Sequence, residues 1–243
     1  MSSRLLAALL CGLCLLAIPA TIPPAEAQKA LVREDLRNDA VRLETDLRRL
    51  QPNAATRPAA TWRQDAATAI RAGNTRGAMA AAAGAVLADP RDGASWLALA
   101  DTALAIADAT QDWSERYTNR DRATAAAYAA YERAAGRPAE AAALAMLGRA
   151  YQAREMWRPA LDTYRLSLAA GENPRLRATY AELREKHGFQ IRDYKVDSDA
   201  ATPRICFNFS APLARGRVDF APFVVVQGAT KEAGLVLTTV AMA

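Results

Sequence analysis

Two tryptophans, Trp62 and Trp96, stand 34 residues apart, and the residues between them make that distance a structural period. A repeat of about this length is one helical hairpin, which gains a core only by stacking on its neighbours. Ala78 and Ala85 lie on the second helix of the hairpin, where small side chains let two helices approach closely. Gly73-Asn74 supplies the turn between the two helices, and Asp89-Pro90-Arg91-Asp92-Gly93 the turn into the next unit.

The second unit opens with Trp96, Leu99 and Ala100 and resumes at Ala127, Tyr131 and Ala134, the small–aromatic–small spacing of a second helix. Between them the chain is roughly fifteen residues longer than one period. Most of the excess is the polar stretch 111–122, which contains Trp113 and Tyr117. Either an elongated loop or an extension of the helices accommodates it. Pro138 starts the third unit, where Leu144, Leu147, Gly148 and Tyr151 repeat the first-helix pattern with leucine in place of tryptophan. Ala160, Tyr164 and Ser167 give its second helix, and Gly171-Glu172-Asn173-Pro174 closes it. A last amphipathic helix, Leu176 to about Lys186, ends at His187-Gly188 and reads as the solvating cap such a stack needs.

From about Trp62 to Gly188 the pattern resembles the tetratricopeptide repeat, with one regular, one expanded and one well-formed unit. The competing reading is an unrelated alanine-rich helical bundle, since alanine dominates the composition. The resemblance implies a concave face made by the first helix of each unit, and assigns Arg63, Asp101, Arg149 and Gln152 as candidate partner contacts. Trp113 and Tyr117 form a separate candidate, because an aromatic pair exposed in a long polar connection marks an interface. Trp62, Trp96, Tyr131, Tyr151 and Tyr164 are assigned to packing between helices.

Ahead of the repeats, Met1-Ser2-Ser3-Arg4 sets one positive charge before an apolar run from Leu5 to about Ala20. Pro23 and Pro24 follow, then Ala25-Glu26-Ala27 before Gln28, the order of a secretory signal peptide over residues 1–27. The run falls short of the roughly 18–20 residues that cross a bilayer. The chain is therefore expected to be exported to the periplasm or cell envelope, with no membrane span after cleavage. Cys11 and Cys14 would leave with the signal, so that Cys206 remains alone. Residues 28–60 are expected to form a leading helix and a linker. Val32, Leu36, Ala40, Leu43, Leu47 and Leu50 step by three or four among charges, as in a solvated or coiled-coil-like helix. Pro52 and Pro58 break the pattern.

After Gly188 the helical period stops. Phe189 to Val196 alternates apolar and polar apart from one slip at Arg192-Asp193, which predicts a half-buried, bulged strand. Arg204 to Phe209 predicts a second strand, and Phe220 to Val226 a third, together the start of an antiparallel sandwich over residues 189–243. The run Asp193-Tyr194-Lys195-Val196-Asp197-Ser198-Asp199 through Pro203-Arg204-Ile205-Cys206-Phe207-Asn208-Phe209-Ser210, with Val218-Asp219-Phe220-Ala221-Pro222-Phe223-Val224, resembles the opening of the first macroglobulin domain in bacterial α2-macroglobulin-like proteins. That resemblance implies an exported endopeptidase inhibitor that traps proteases through a bait region, often with a thioester built from Cys-x-Glu-Gln. No Cys-x-Glu-Gln occurs in this sequence. A sandwich domain takes about 100 residues, whereas 55 follow Gly188. The sequence is accordingly expected to be a truncated or frame-shifted product holding the N-terminal module without the trap. Cys206 is read either as a core cysteine or, by the resemblance, as a strand cysteine able to pair with a later one.

Composition bears on the remaining classes. The net charge of +5 invites a nucleic-acid reading, but the arginines alternate with Asp and Glu, as in Arg33-Glu34-Asp35-Leu36-Arg37, which describes solvated helix faces. No nucleic-acid partner is expected. His187 is the only histidine, so neither a Cys/His metal cluster nor a Ser-His-Asp triad is in view. It is assigned to the terminal carbonyls of its helix. No glycine-rich phosphate loop occurs, and Asp197 and Asp199 read as solvated turn acids. The expectation is a non-enzymatic protein-binding module without metal or cofactor, its alternative a free-standing periplasmic tetratricopeptide-repeat adaptor. Proteases enter as partners by the family resemblance only.

Overall fold

Asn74, Asp92, Asp112 and Asn173 each accept a hydrogen bond from a backbone N–H in the first turn of the helix that follows, from Gly77, Ala94, Glu115 and Leu176 respectively. Such caps satisfy donors that a helix start leaves free, and they cut an alanine-rich chain into defined helices. The computed structural model describes residues 29–51, 53–199 and 204–213. The helices are α1 (Glu34–Leu50), α2 (Ala59–Arg71), α3 (Thr75–Ala88), α4 (Gly93–Ala109), α5 (Trp113–Glu132), α6 (Arg137–Ala153), α7 (Trp157–Ala170) and α8 (Pro174–His187). Two strands follow, β1 (Ile191–Asp197) and β2 (Arg204–Phe209). The chain divides into Met1–Val32 and Arg33–Ala243, and in the first unit the described residues 29–32 carry neither helix nor strand. The signal residues Ala25, Ala27 and Gln28 and the third strand expected at Phe220–Val226 lie outside the described residues.

The architecture is mainly α, a solenoid of helical hairpins followed by a short antiparallel β segment. Helices α2–α3, α4–α5 and α6–α7 pair, α2, α4 and α6 are neighbours in turn, and α8 covers α7. The two tryptophans at the repeat distance are held alike. The Trp62 indole N–H donates to the Ala54 carbonyl at 3.0 Å, and Arg57 lies 4.3 Å over its ring. The Trp96 indole N–H donates to the Pro90 carbonyl at 2.9 Å, and Arg133 lies 4.9 Å over its ring. Each therefore buries an apolar ring without orphaning its donor. Trp96, Tyr131, Tyr151 and Tyr164 are buried as expected, whereas Trp62 is half-buried.

Of the two alternatives for the stretch 111–122, the extended helix is the one found: α4 ends at Ala109, and from Trp113 the chain is helical as the first half of α5. The leading helix departs from expectation in that it is not solvated all round. Leu36, Ala40, Leu43 and Leu47 are buried, and α1 packs on α3 and α5. A buried leucine contributes about 1.5–3 kcal/mol, so this stripe outweighs exposed i,i+3 and i,i+4 ion pairs such as Arg42–Asp39, worth a few tenths each.

In the β segment, Tyr194 pairs with Phe207, Val196 with Ile205 and Ile191 with Phe209, and the register shifts between Ile191 and Asp193. That irregularity falls where the sequence alternation slips, and it returns the apolar residues to one face. Phe189 stacks on Phe209 at 5.1 Å between ring centroids. The face is open, with Tyr194 64% and Phe207 45% exposed. Cys206, opposite Lys195, is an exposed free thiol on the other face, not a core residue.

Gly148 lies under the Tyr164 ring so closely that a Cβ would collide with it. Alanine at a helical position gains about 1 kcal/mol over glycine, but overpacking costs about 1–3 kcal/mol. The Tyr164 ring, buried and hydrogen-bonded, has no free direction in which to yield. With no room for the ring to yield, the overpacking cost sits at the upper end of its range, and Gly148→Ala is expected to lower stability by about 2 kcal/mol in urea unfolding. A variant as stable as the parent would contradict the packing described.

Candidate functional site

Helices α2, α4 and α6 carry the residues assigned to a concave face, and their polar atoms are largely engaged within the chain. Arg63 Nη1 meets the Asp92 carboxylate and lies 3.0 Å from Ser95 Oγ, at the junction of α2 with α4. Burial pushes the Asp92 carboxyl up, but the Ser95 hydroxyl, the Ala94 N–H and the Arg63 guanidinium together hold it below the ordinary carboxylate range. Gln152 Oε1 accepts the Tyr164 hydroxyl at 2.8 Å. Asp101 and Arg149 face each other across α4 and α6 at 3.2 Å, both more than half exposed. Such a pair is worth about 0–1 kcal/mol, so it can exchange for a partner's charges at little cost. An open cleft of about 320 Å³ lies between the start of α4, the end of α5 and the start of α6, lined by Asp92, Leu97, Ala130, Arg133, Ala139 and Ala143 among others.

The aromatic candidates stand apart. Trp113 and Tyr117, one turn apart on α5, stack with ring centroids 5.6 Å apart and planes 20° from parallel. They are 73% and 50% exposed. Beside Tyr117 a second open cleft, of about 240 Å³, is lined by Arg120, Arg154, Glu155 and Met156. Glu155 has a left-handed backbone, φ 59°, which makes the tight α6–α7 turn. Arg154 pairs with Asp121 at 3.1 Å. Burial pushes the Asp121 carboxyl up, Arg154 pulls it down, and the nearby Asp39 adds to the upward push.

The sequence pattern pointed to neither Arg120 nor Arg154. The signal that reveals Arg120 is Asp112 followed three residues later by Glu115, a helix-start pair. It makes 113–120 helical and puts Arg120 on the face of Trp113 and Tyr117. The anchoring of α1 is likewise tertiary. The Arg33 backbone N–H donates to the Tyr128 hydroxyl at 2.9 Å, its guanidinium reaches the Tyr151 hydroxyl at 3.4 Å, and Arg37 pairs with Glu132 at 2.6 Å. His187 stacks on Trp157 at 3.9 Å between centroids, a ring partner in place of the carbonyls expected for it. Asp197 pairs with Arg204 at 3.2 Å.

Among the described residues no group of three or more His, Cys, Asp or Glu is placed to hold a metal ion, and no helix is long and apolar enough to cross a membrane. No family model and no curated protein matches this chain.

Burial pushes the Tyr164 hydroxyl up to about 12, and burial also raises those of Tyr128 and Tyr151. A folded-state pKa above the unfolded value of about 10 means that the folded protein holds the phenol proton more tightly. The resulting stability is complete below pH ~10 and is lost as pH rises towards ~12. The urea midpoint is expected to fall over that window, and to fall less steeply in Tyr164→Phe. An identical pH profile for the two proteins would contradict the assignment.

Proposed function

We propose that this chain is an exported, non-enzymatic protein-interaction module, the N-terminal part of a bacterial α2-macroglobulin-like endopeptidase inhibitor. The observation that carries this reading is the order of parts. A helical-hairpin stack ends at Gly188 and passes at once into a β ribbon whose sequence resembles the opening of a macroglobulin domain. The ribbon's exposed aromatic face supports it, since one sheet of a sandwich presents such a face to a second. Export rests on the N-terminal order of charge, apolar run and Ala25-Glu26-Ala27.

A binding role rather than catalysis is supported by how the polar groups are used. Carboxylates on the stack pair with arginines that hold them ionised, as Asp92 with Arg63 and Glu172 with Arg177. Paired acids of this kind are poor proton-transfer groups. In this reading the stack engages protein at the entrance to a larger trap, whose bait region this sequence does not include.

Sequencing the DNA that adjoins the codon for Ala243 tests the ancestry. Further macroglobulin-type domains and a bait region, in any reading frame, are the expected result. Their absence from every frame would overturn the inhibitor reading and leave the free-standing adaptor.

A further inference from the structure

We infer that the Trp113–Tyr117 pair and the arginine-lined cleft beside it form a docking site for an extended acidic segment of a partner protein. One carboxylate of the segment lies against Arg120, and a neighbouring apolar side chain lies on the two rings. The inference rests on the reading of the stack as a protein-binding module, and not on the inhibitor ancestry.

Three observations converge. First, Trp113 and Tyr117 project from the extended start of α5, 73% and 50% exposed, so they contribute little to the core. The rings already stack on each other, which restricts their rotamers and lowers the entropy lost on binding. Second, the cleft continues from Tyr117 to Arg120, Arg154, Glu155 and Met156, so that a flat apolar platform adjoins the Arg120 guanidinium. Third, the two arginines differ in occupation. Arg154 is tied to Asp121 at 3.1 Å and lies 3.5 Å from Thr124 Oγ1. Arg120 has no ion-pair partner among the described residues; its Nε is buried without an acceptor, which leaves the terminal nitrogens of the guanidinium to meet a ligand. An incoming carboxylate gives those nitrogens a charge-assisted partner.

Charge also selects the class of partner. Asp112, Glu115, Asp121 and Glu155 lie around the patch among Arg116, Arg120 and Arg154. A nucleic-acid backbone would set phosphates against those acids at every step, whereas a peptide can place one carboxylate at Arg120 and neutral residues on either side of it. The cleft, open and about 240 Å³, has room for one side chain rather than a helix face.

The test is a two-dimensional NMR titration of the isotope-labelled full chain with an acetylated hexapeptide alternating glutamate and leucine. Its glutamine counterpart and oligothymidylate are run in parallel. Saturable shifts at the Trp113 indole N–H, the Arg120 Nε–H and Met156 are expected. The glutamine peptide should bind about tenfold more weakly, as should the glutamate peptide to Trp113→Ala, Tyr117→Ala and Arg120→Gln, each retaining a folded spectrum. Equal binding of the glutamine peptide, tighter binding of oligothymidylate at the patch, or unchanged affinity in the variants overturns the site. Peptide shifts confined to α2, α4 and α6 overturn it while leaving the protein-binding reading intact. No saturable shift anywhere counts against both.

Discussion

A Cβ at Gly84 would lie 2.6 Å from the Trp62 indole, and one at Gly148 would strike the Tyr164 ring. In the first and third hairpins, then, an aromatic side chain of one helix rests on the bare backbone of the other. That contact sets the spacing of the paired helices, and alanines at 78, 81, 82, 83 and 85 carry the same short spacing along α3. Side chains this small bury little apolar area each, so the stack depends on a few large rings buried among many methyl groups. Trp96, Tyr128, Tyr131, Tyr151 and Tyr164 are those rings, all at most 2% exposed.

This dependence explains why α1 belongs to the body of the protein. Tyr128 and Tyr151 present hydroxyls that need partners, and Arg33 at the start of α1 supplies them. Leu36, Ala40, Leu43 and Leu47 close over α3 and α5, so that the helix ties the first two hairpins together. On the side formed by α2, α4 and α6, the Arg63–Asp92 and Asp101–Arg149 pairs cross between helices instead. At the far end the ribbon has one apolar and one polar face and meets the stack chiefly through Gln190 and Ser210. Stack and ribbon are thus built on different principles, the first on internal burial and the second on a face left open.

Much of this was legible in the sequence, and the reasons differ by element. The turns at Gly73-Asn74 and Asp89–Gly93 were legible because their residues carry the needed backbone preference and capping chemistry. The ribbon's irregularity was legible because a period of two exposes a single slip at Arg192. The burial of α1 was not, since a leucine stripe among charges fits a coiled coil as well as a docked helix, and only α3 and α5 decide between them. The cleft at Arg120 was not, because it joins the start of α5 to the α6–α7 turn, about 34 residues further along the chain. Of the concave candidates, Arg63 and Gln152 look free in sequence but are taken up by Asp92 and Tyr164.

On this packing α1 to α8 open as one cooperative unit to which the leading helix belongs, and the ribbon opens separately. Hydrogen exchange followed by mass spectrometry measures this directly. Helix α1 is expected to exchange as slowly as α3 and α5, and the ribbon far faster than either, because cooperative units open together. Exchange of α1 at the rate of an unpacked helix, with α3 and α5 still protected, would contradict the account.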